Sequence, residues 1–251
     1  MSNRVEPQDG LPGPVVFEIA PRAGVPVVGG GVFPVRRIFC IARNYAAHAR
    51  EMGGDPEREA PFFFTKPADA VLPVAAGATG RIRYPLATQD LHHEVELVVA
   101  LRAGGENLTA TDAAECVWGY AVGIDLTRRD LQAEAKAAGR PWDVAKAFDD
   151  SAPISEIRPV EALPEGGVLP ATTPIRLSIN GEIRQDGVLG DMSWSVPEII
   201  AHLSRYFALA PGDLVFTGTP EGVGPVCVGD LIEAEVEGVG SLRLMVSARP
   251  E

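Results

Sequence analysis

The chain has 251 residues, 46% hydrophobic and 22% charged, with 34 acidic against 22 basic side chains and a formal net charge of -12. These fractions suit a globular protein with a sizeable core and exclude a disordered chain. So acidic a protein repels phosphate backbones and anionic bilayers, which argues against nucleic-acid and membrane partners. Cys40, Cys116 and Cys227 are far apart and form no C-x-x-C pair, so neither a zinc knuckle nor a disulfide framework is expected. Met1 to Gly13 has no signal-like apolar run, and no stretch reaches the ~20 apolar residues that span a bilayer. A cytoplasmic protein is the expectation.

Frequent Gly and Pro favour many turns and a strand-rich fold. Residues 1–35 read as a short strand-forming segment with a turn at Gly29-Gly30-Gly31, and residues 36–251 as the main domain. Ile38 to Ala42 reads as a buried strand, after which Asn44 can cap a helix from Tyr45 to Met52. Phe62-Phe63-Phe64 is strand-like and runs into Thr65-Lys66-Pro67. His93 to Leu101 alternates and then turns apolar, as a strand entering a core does. Thr111 to Cys116 suits a short helix, and Tyr120 to Asp125 a strand ending on an acid.

Thr127-Arg128-Arg129-Asp130 resembles a capping box, predicting a helix over 128–138. Asn180-Gly181 between two strand-like runs is a strong hairpin signal. Ser195-Val196-Pro197-Glu198 predicts a capped helix over 196–207. Leu214 to Phe216, Leu231 to Val236 and Leu242 to Val246 complete the strands. Many strands with few helices and no repeating βαβ unit point to the α+β class.

Glu94 and Glu96 flank Val95. At i and i+2 on a strand they share a face, and two neighbouring carboxylates repel unless solvent or a cation lies between them. A hard cation such as Mg2+ takes such oxygens and keeps positions open for water or substrate. Glu233, Glu235 and Glu237 repeat the spacing but alternate with apolar residues, which reads as a solvated strand face. Asp125, at the end of an apolar strand, is either a third ligand or a cap for local backbone. His48 and Glu51 lie at i and i+3, where a carboxylate can orient an imidazole as a general base, or where both simply decorate a helix surface. A lone Lys146 is ordinarily a solvated charge. His92 and His93 read as neighbours of the acid pair, and His202 as structural. Thr217 to Gly224 could present backbone N–H groups to a carboxylate, and it lacks the pattern of a P-loop.

In order and spacing, Ala42-Arg43-Asn44-Tyr45-Ala46-Ala47-His48, Phe64-Thr65-Lys66-Pro67, His92-His93-Glu94-Val95-Glu96-Leu97, the run Asp125 to Gln132, Pro141 to Lys146 and Thr217 to Gly224 together resemble the fumarylacetoacetate hydrolase family. The stretch Arg58 to Ala70 is similar to that of bacterial fumarylpyruvate hydrolases of gentisate breakdown. Ala42 stands where relatives often have Gly.

The resemblance implies a mixed β-sandwich roll with flanking helices, usually a homodimer. It assigns Glu94, Glu96 and Asp125 to Mg2+ or Mn2+. His48 and Glu51 become a catalytic dyad on a mobile lid, joined by Lys146. Arg43, Gln132, Arg129, Lys66 and Thr219 become substrate-binding positions, and Arg140 joins Arg43 and Arg129 as a candidate for a distal carboxylate. The implied reaction is metal-dependent hydrolysis of the C–C bond of an acylpyruvate, a dicarboxylic oxo-acid. Oxaloacetate decarboxylation and isomerisation of a hydroxy-dienedioate are alternatives on the same fold. A metal-stabilised ligand-binding β protein is the non-enzyme alternative.

Overall fold

The computed structural model describes residue 17 and residues 21–47, 60–163 and 165–249. Its main feature is a mixed sheet. In spatial order it runs Phe62–Lys66, Arg37–Ala42, Asp213–Phe216, Val95–Leu101, Val117–Ile124, Ala152–Ile154 and Val71–Pro73, with Arg158–Pro159 beside Val117–Ile124. Arg37–Ala42 is parallel to Asp213–Phe216 and Ala152–Ile154 to Val71–Pro73, and the other pairs are antiparallel. A second sheet runs Glu182–Val188, Pro174–Ile179, Leu231–Val236, Gly240–Ser247, Gly80–Arg83. The α+β expectation holds, with strands dominant and few helices.

Every residue of Val95–Leu101 is buried, because the main sheet is covered on both faces. Val95, Leu97 and Val99 join one apolar cluster with Ile175, Leu177 and Ile232 of the second sheet, so the two sheets pack face to face. Val98 and Ala100 join a second cluster with Ile38, Cys40, Leu214 and Phe216 on the opposite face. Glu96 shares that face by the two-residue period of a strand. Gly123 faces it across the ladder, where an added Cβ would lie 2.5 Å from Val98 and 2.6 Å from Phe216. Val25 and Phe33, on the paired strands Gly24–Pro26 and Val32–Pro34, are buried in the same cluster, with the turn at Gly29-Gly30-Gly31 between them.

Local signals account for several elements. Asn180 and Gly181, both at positive φ, close the hairpin between Pro174–Ile179 and Glu182–Val188. Ser195 and Glu198 form the expected reciprocal cap, and their helix spans Val196–Leu203, ending sooner than 207. The helix near Thr111 is Ala110–Glu115, capped by Thr109 and Asp112. Among the described residues no helix is long and apolar enough to cross a membrane.

Three expectations are corrected. The strand from His93 to Leu101 is interrupted at Glu94, which joins Leu91–His93 to Val95–Leu101. Thr127 caps nothing; it pairs with His92 in a short strand, and the Arg129–Ala137 helix starts without a side-chain cap. The Asp130 carboxylate instead accepts bonds from the Thr88 hydroxyl and the Gln89 N–H. Lys146 lies at the end of a one-turn helix, Asp143–Lys146, and is buried instead of solvated. Tyr45 is bridged to Met192, Ala46 and Ala47 are helical, and the rest of the helix expected to Met52 lies outside the described residues.

The loop after Asp213–Phe216 depends on Gly222. Its φ is +89°, and an added Cβ would sit 2.0 Å from the Arg184 carbonyl oxygen. Gly222→Ala is expected to destabilise by more than the ~1–3 kcal/mol of a strained backbone conformation alone, because the clash is with backbone. Urea denaturation of the variant checks this.

Candidate metal and substrate site

The site lies at one end of the main sheet, where adjacent strands deliver acids to a common point. Val117–Ile124 ends at Asp125, and the Asp125 N–H donates to the Glu94 carbonyl oxygen at 2.9 Å, locking the two strand ends together. Glu94, Glu96 and Asp125 each offer a carboxylate oxygen, and these lie within 4.8 Å of one another, all buried. A set of hard oxygen donors at that spacing could hold a hard divalent ion. Glu233, Glu235 and Glu237, by contrast, follow the alternation of a solvated strand, and Glu233 pairs with Arg243.

Cations surround the triad. Lys146 Nζ donates to Glu94 Oε2 at 2.9 Å and to Asp125 Oδ2 at 2.7 Å. Burial alone would pull the Lys146 ammonium down, but Asp125 and Glu94 outweigh it and hold the group above its ordinary value. Lys66 Nζ lies 2.8 Å from Asp125 Oδ1 and also donates to the Leu126 carbonyl oxygen. Arg129 pairs with Glu94 and donates to Gln132 Oε1. Thr127 reaches Glu94 as well, at 3.3 Å, so its hydroxyl serves the site and not a helix end.

Glu96 differs. Its carboxylate is held by backbone: the Gly218 N–H donates to Oε2 at 2.8 Å. The loop 217–224 thus presents an N–H to a carboxylate, and that carboxylate belongs to the protein. Burial first, then Asp125 and Glu94, push Glu96 well above the usual carboxylate range. A cation among the three acids would reverse that balance, which is the electrostatic signature of an ion site.

One cavity joins the triad to the other expected residues. Arg43, Arg129, Gln132, Lys146 and Thr219 line it, together with Lys136, Ile41, Phe64 and Trp142. Sequence reasoning missed Lys136 and Trp142; neither carries a local signal. Lys66 touches the triad from behind and does not line the cavity, and Arg140 lines a neighbouring aromatic groove beyond Phe64 and Trp142. His48 and Glu51 lie outside the described residues. The backbone leading to them is held by Asn44, whose side chain donates to the Trp194 and Thr217 carbonyl oxygens and accepts from the Trp194 N–H. His202 packs edge-on against Trp194, a structural position. His92 donates to Asp90, accepts from Arg129, and is lowered by burial and then by Arg129. The three cysteines are free, as expected from their spacing.

Residues 37–247 match the family described as Fumarylacetoacetate (FAA) hydrolase C-terminal, and the chain belongs to the fumarylacetoacetate hydrolase family. It is 43% identical over 192 residues to the fumarylpyruvate hydrolase of Ralstonia sp, covering 76% of this chain and 95% of that one. It is 41% identical over 211 residues to the mitochondrial oxaloacetate tautomerase FAHD1 of Mus musculus, covering 84% and 91%. A solved fumarylpyruvate hydrolase from Pseudomonas aeruginosa, in complex with Mn2+ and pyruvate, superposes with a TM-score of 0.90 at 49% identity, covering 94% of this chain and 100% of that one.

Proposed function

We propose that this protein is an enzyme that hydrolyses the carbon–carbon bond of an acylpyruvate, with fumarylpyruvate as substrate and fumarate and pyruvate as products. The observation that carries the reading is the buried triad Glu94, Glu96 and Asp125 opening into a cavity walled by cations. Three acids there face four bases, Arg43, Arg129, Lys136 and Lys146. The bases outnumber the acids, and a divalent ion on the triad would make the cavity more positive still, so a dianionic oxo-acid is attracted locally although the chain carries -12 overall. Identity to fumarylpyruvate hydrolases supports the same substrate class.

Glu94, Glu96 and Asp125 would hold Mg2+ or Mn2+. When bound, the cation supplies Lewis acidity to the substrate oxygen that gains charge as the bond breaks. Lys146 and Arg129 pair with the triad, and Gln132, which accepts from Arg129, lines the same cavity; their N–H groups are the donors assigned to developing negative charge. Phe64 and Trp142 give the acyl carbons an apolar wall, and Arg43 and Lys136, which line the same cavity, are the cations assigned to a distal carboxylate. His48, oriented by Glu51, takes the proton from the attacking water.

Oxaloacetate tautomerisation is the second reading, favoured by relatives of that activity at 41% identity. The test is a substrate panel with Mg2+ present, comparing fumarylpyruvate, other acylpyruvates, oxaloacetate and hydroxy-dienedioates by absorbance and product analysis. Fumarylpyruvate is expected to give the highest kcat/KM and stoichiometric pyruvate. Turnover of oxaloacetate alone would replace this reading with the second. A homodimer in the cytoplasm remains the expected setting.

A further inference from the structure

Glu182–Val188 is an exposed hairpin strand with one wholly buried side chain, Gln185. A buried amide on such a strand needs partners, and all four of its bonds are made. Gln185 Oε1 accepts from the Val95 N–H and from His93 Nδ1, both at 3.0 Å. Its Nε2 donates to Thr219 Oγ1 at 2.7 Å and to the Pro220 carbonyl oxygen at 2.9 Å. The orientation of the amide follows from its partners: a backbone N–H can only donate and a carbonyl can only accept. His93 therefore carries its proton on Nδ1. Burial, the largest influence, pushes His93 down to about 4, so the ring is neutral.

These partners are not scattered. Val95 lies between Glu94 and Glu96. Thr219 follows Gly218, whose N–H holds Glu96. From the second sheet, Gln185 thus grips both the strand that aims two of the acids and the loop that holds one of them. We propose that Gln185 is a positioning residue for the metal site, acting through Val95 and the Thr217–Pro220 loop and touching neither ion nor substrate. This rests on the metal-site reading above.

The consequence for ion binding can be separated from one for folding. Loss of a partner outside the ligand set ordinarily weakens a metal site ~10–100-fold. Gln185→Met keeps the volume and removes all four bonds. Gln185→Glu keeps the acceptor oxygen for Val95 but loses the donor to Thr219 and Pro220. Both are compared with Ile175→Val, a core change in the same sheet, as a control for stability alone. The probe is Mn2+ itself, titrated into metal-free protein by calorimetry, with the Mn2+ EPR spectrum recorded at saturation.

We expect both Gln185 variants to bind Mn2+ about 10–100-fold more weakly, with a broadened spectrum. Ile175→Val should melt lower but bind as wild type. Folded Gln185 variants with Mn2+ affinity and spectrum unchanged would overturn the proposal. Failure of both to fold would also overturn it, in favour of a purely structural role. Absence of Mn2+ binding by the wild-type protein would instead reject the metal site itself.

Discussion

Glu96→Gln is expected to abolish turnover at ordinary Mg2+ concentrations while leaving a folded protein. Glu96 is buried beside Asp125 and Glu94 and accepts from the Gly218 N–H, so its negative charge is the part of the site that most needs an ion. An amide keeps the shape and an acceptor for Gly218 but no charge. The loss in Mg2+ or Mn2+ affinity should exceed the ~10–100-fold seen when a group one layer further out is removed. The same change should stabilise the metal-free protein. Burial raises Glu96 in the folded state above its ordinary 4.5, so folded protein holds the proton that unfolded protein releases. Stability of the metal-free wild type therefore falls as pH rises from that ordinary value through the raised folded one. Gln at this position has no such loss. Thermal melts in EDTA across pH, beside calorimetric Mn2+ titrations, test both halves; equal affinity for Mn2+ would remove Glu96 from the ligand set.

His48→Gln is expected to lower fumarylpyruvate hydrolysis by about 10²–10⁴, the range for loss of a general base. The described cavity offers no substitute. No histidine lines it, its acids form the triad, and Lys146 is held as a cation. His93 is fully buried and does not line the cavity. Mn2+ affinity and oxalate binding should stay near wild type, which separates proton transfer from ion binding. Glu51→Gln should be impaired as well, since an amide orients an imidazole without stabilising its charged form. Pyruvate release followed together with loss of substrate absorbance is the assay. Near-normal hydrolysis in the His48→Gln protein would take the base away from this residue.

What could be read from the sequence was what neighbours in sequence decide. Asn180-Gly181 and Ser195 with Glu198 declared their structures because the bonds involved span a few residues. The Thr127–Asp130 box had the right letters, yet Thr127 is drawn to Glu94, 33 residues away, and Asp130 to Thr88, 42 away. Long-range partners overrode a local preference. Lys146 looked like a solvated lysine for the same reason, since its two acids lie 52 and 21 residues upstream. Spacing alone left the metal site open, and the family resemblance supplied it. Gln185 had no signal at all: one polar residue on an exposed hairpin strand is ordinary until the other sheet is seen beneath it.

The burial of Val95–Leu101 on both faces divides the cavity into two halves with different freedom to change. The inner half stands on that strand and on Gly123, where even one added methyl would meet Val98 and Phe216. The outer half, formed by Arg43, Phe64, Lys136 and Trp142, lies on a bend after a strand, the edge strand Phe62–Lys66, a helix and a loop. Phe64 packs against the second apolar cluster, but Arg43, Lys136 and Trp142 belong to neither, so replacements at those positions disturb little core packing. A lineage can therefore exchange the residues around the cavity mouth while inheriting the acidic triad intact. Hydrolases and tautomerases at comparable identity to one chain are the outcome such an arrangement permits.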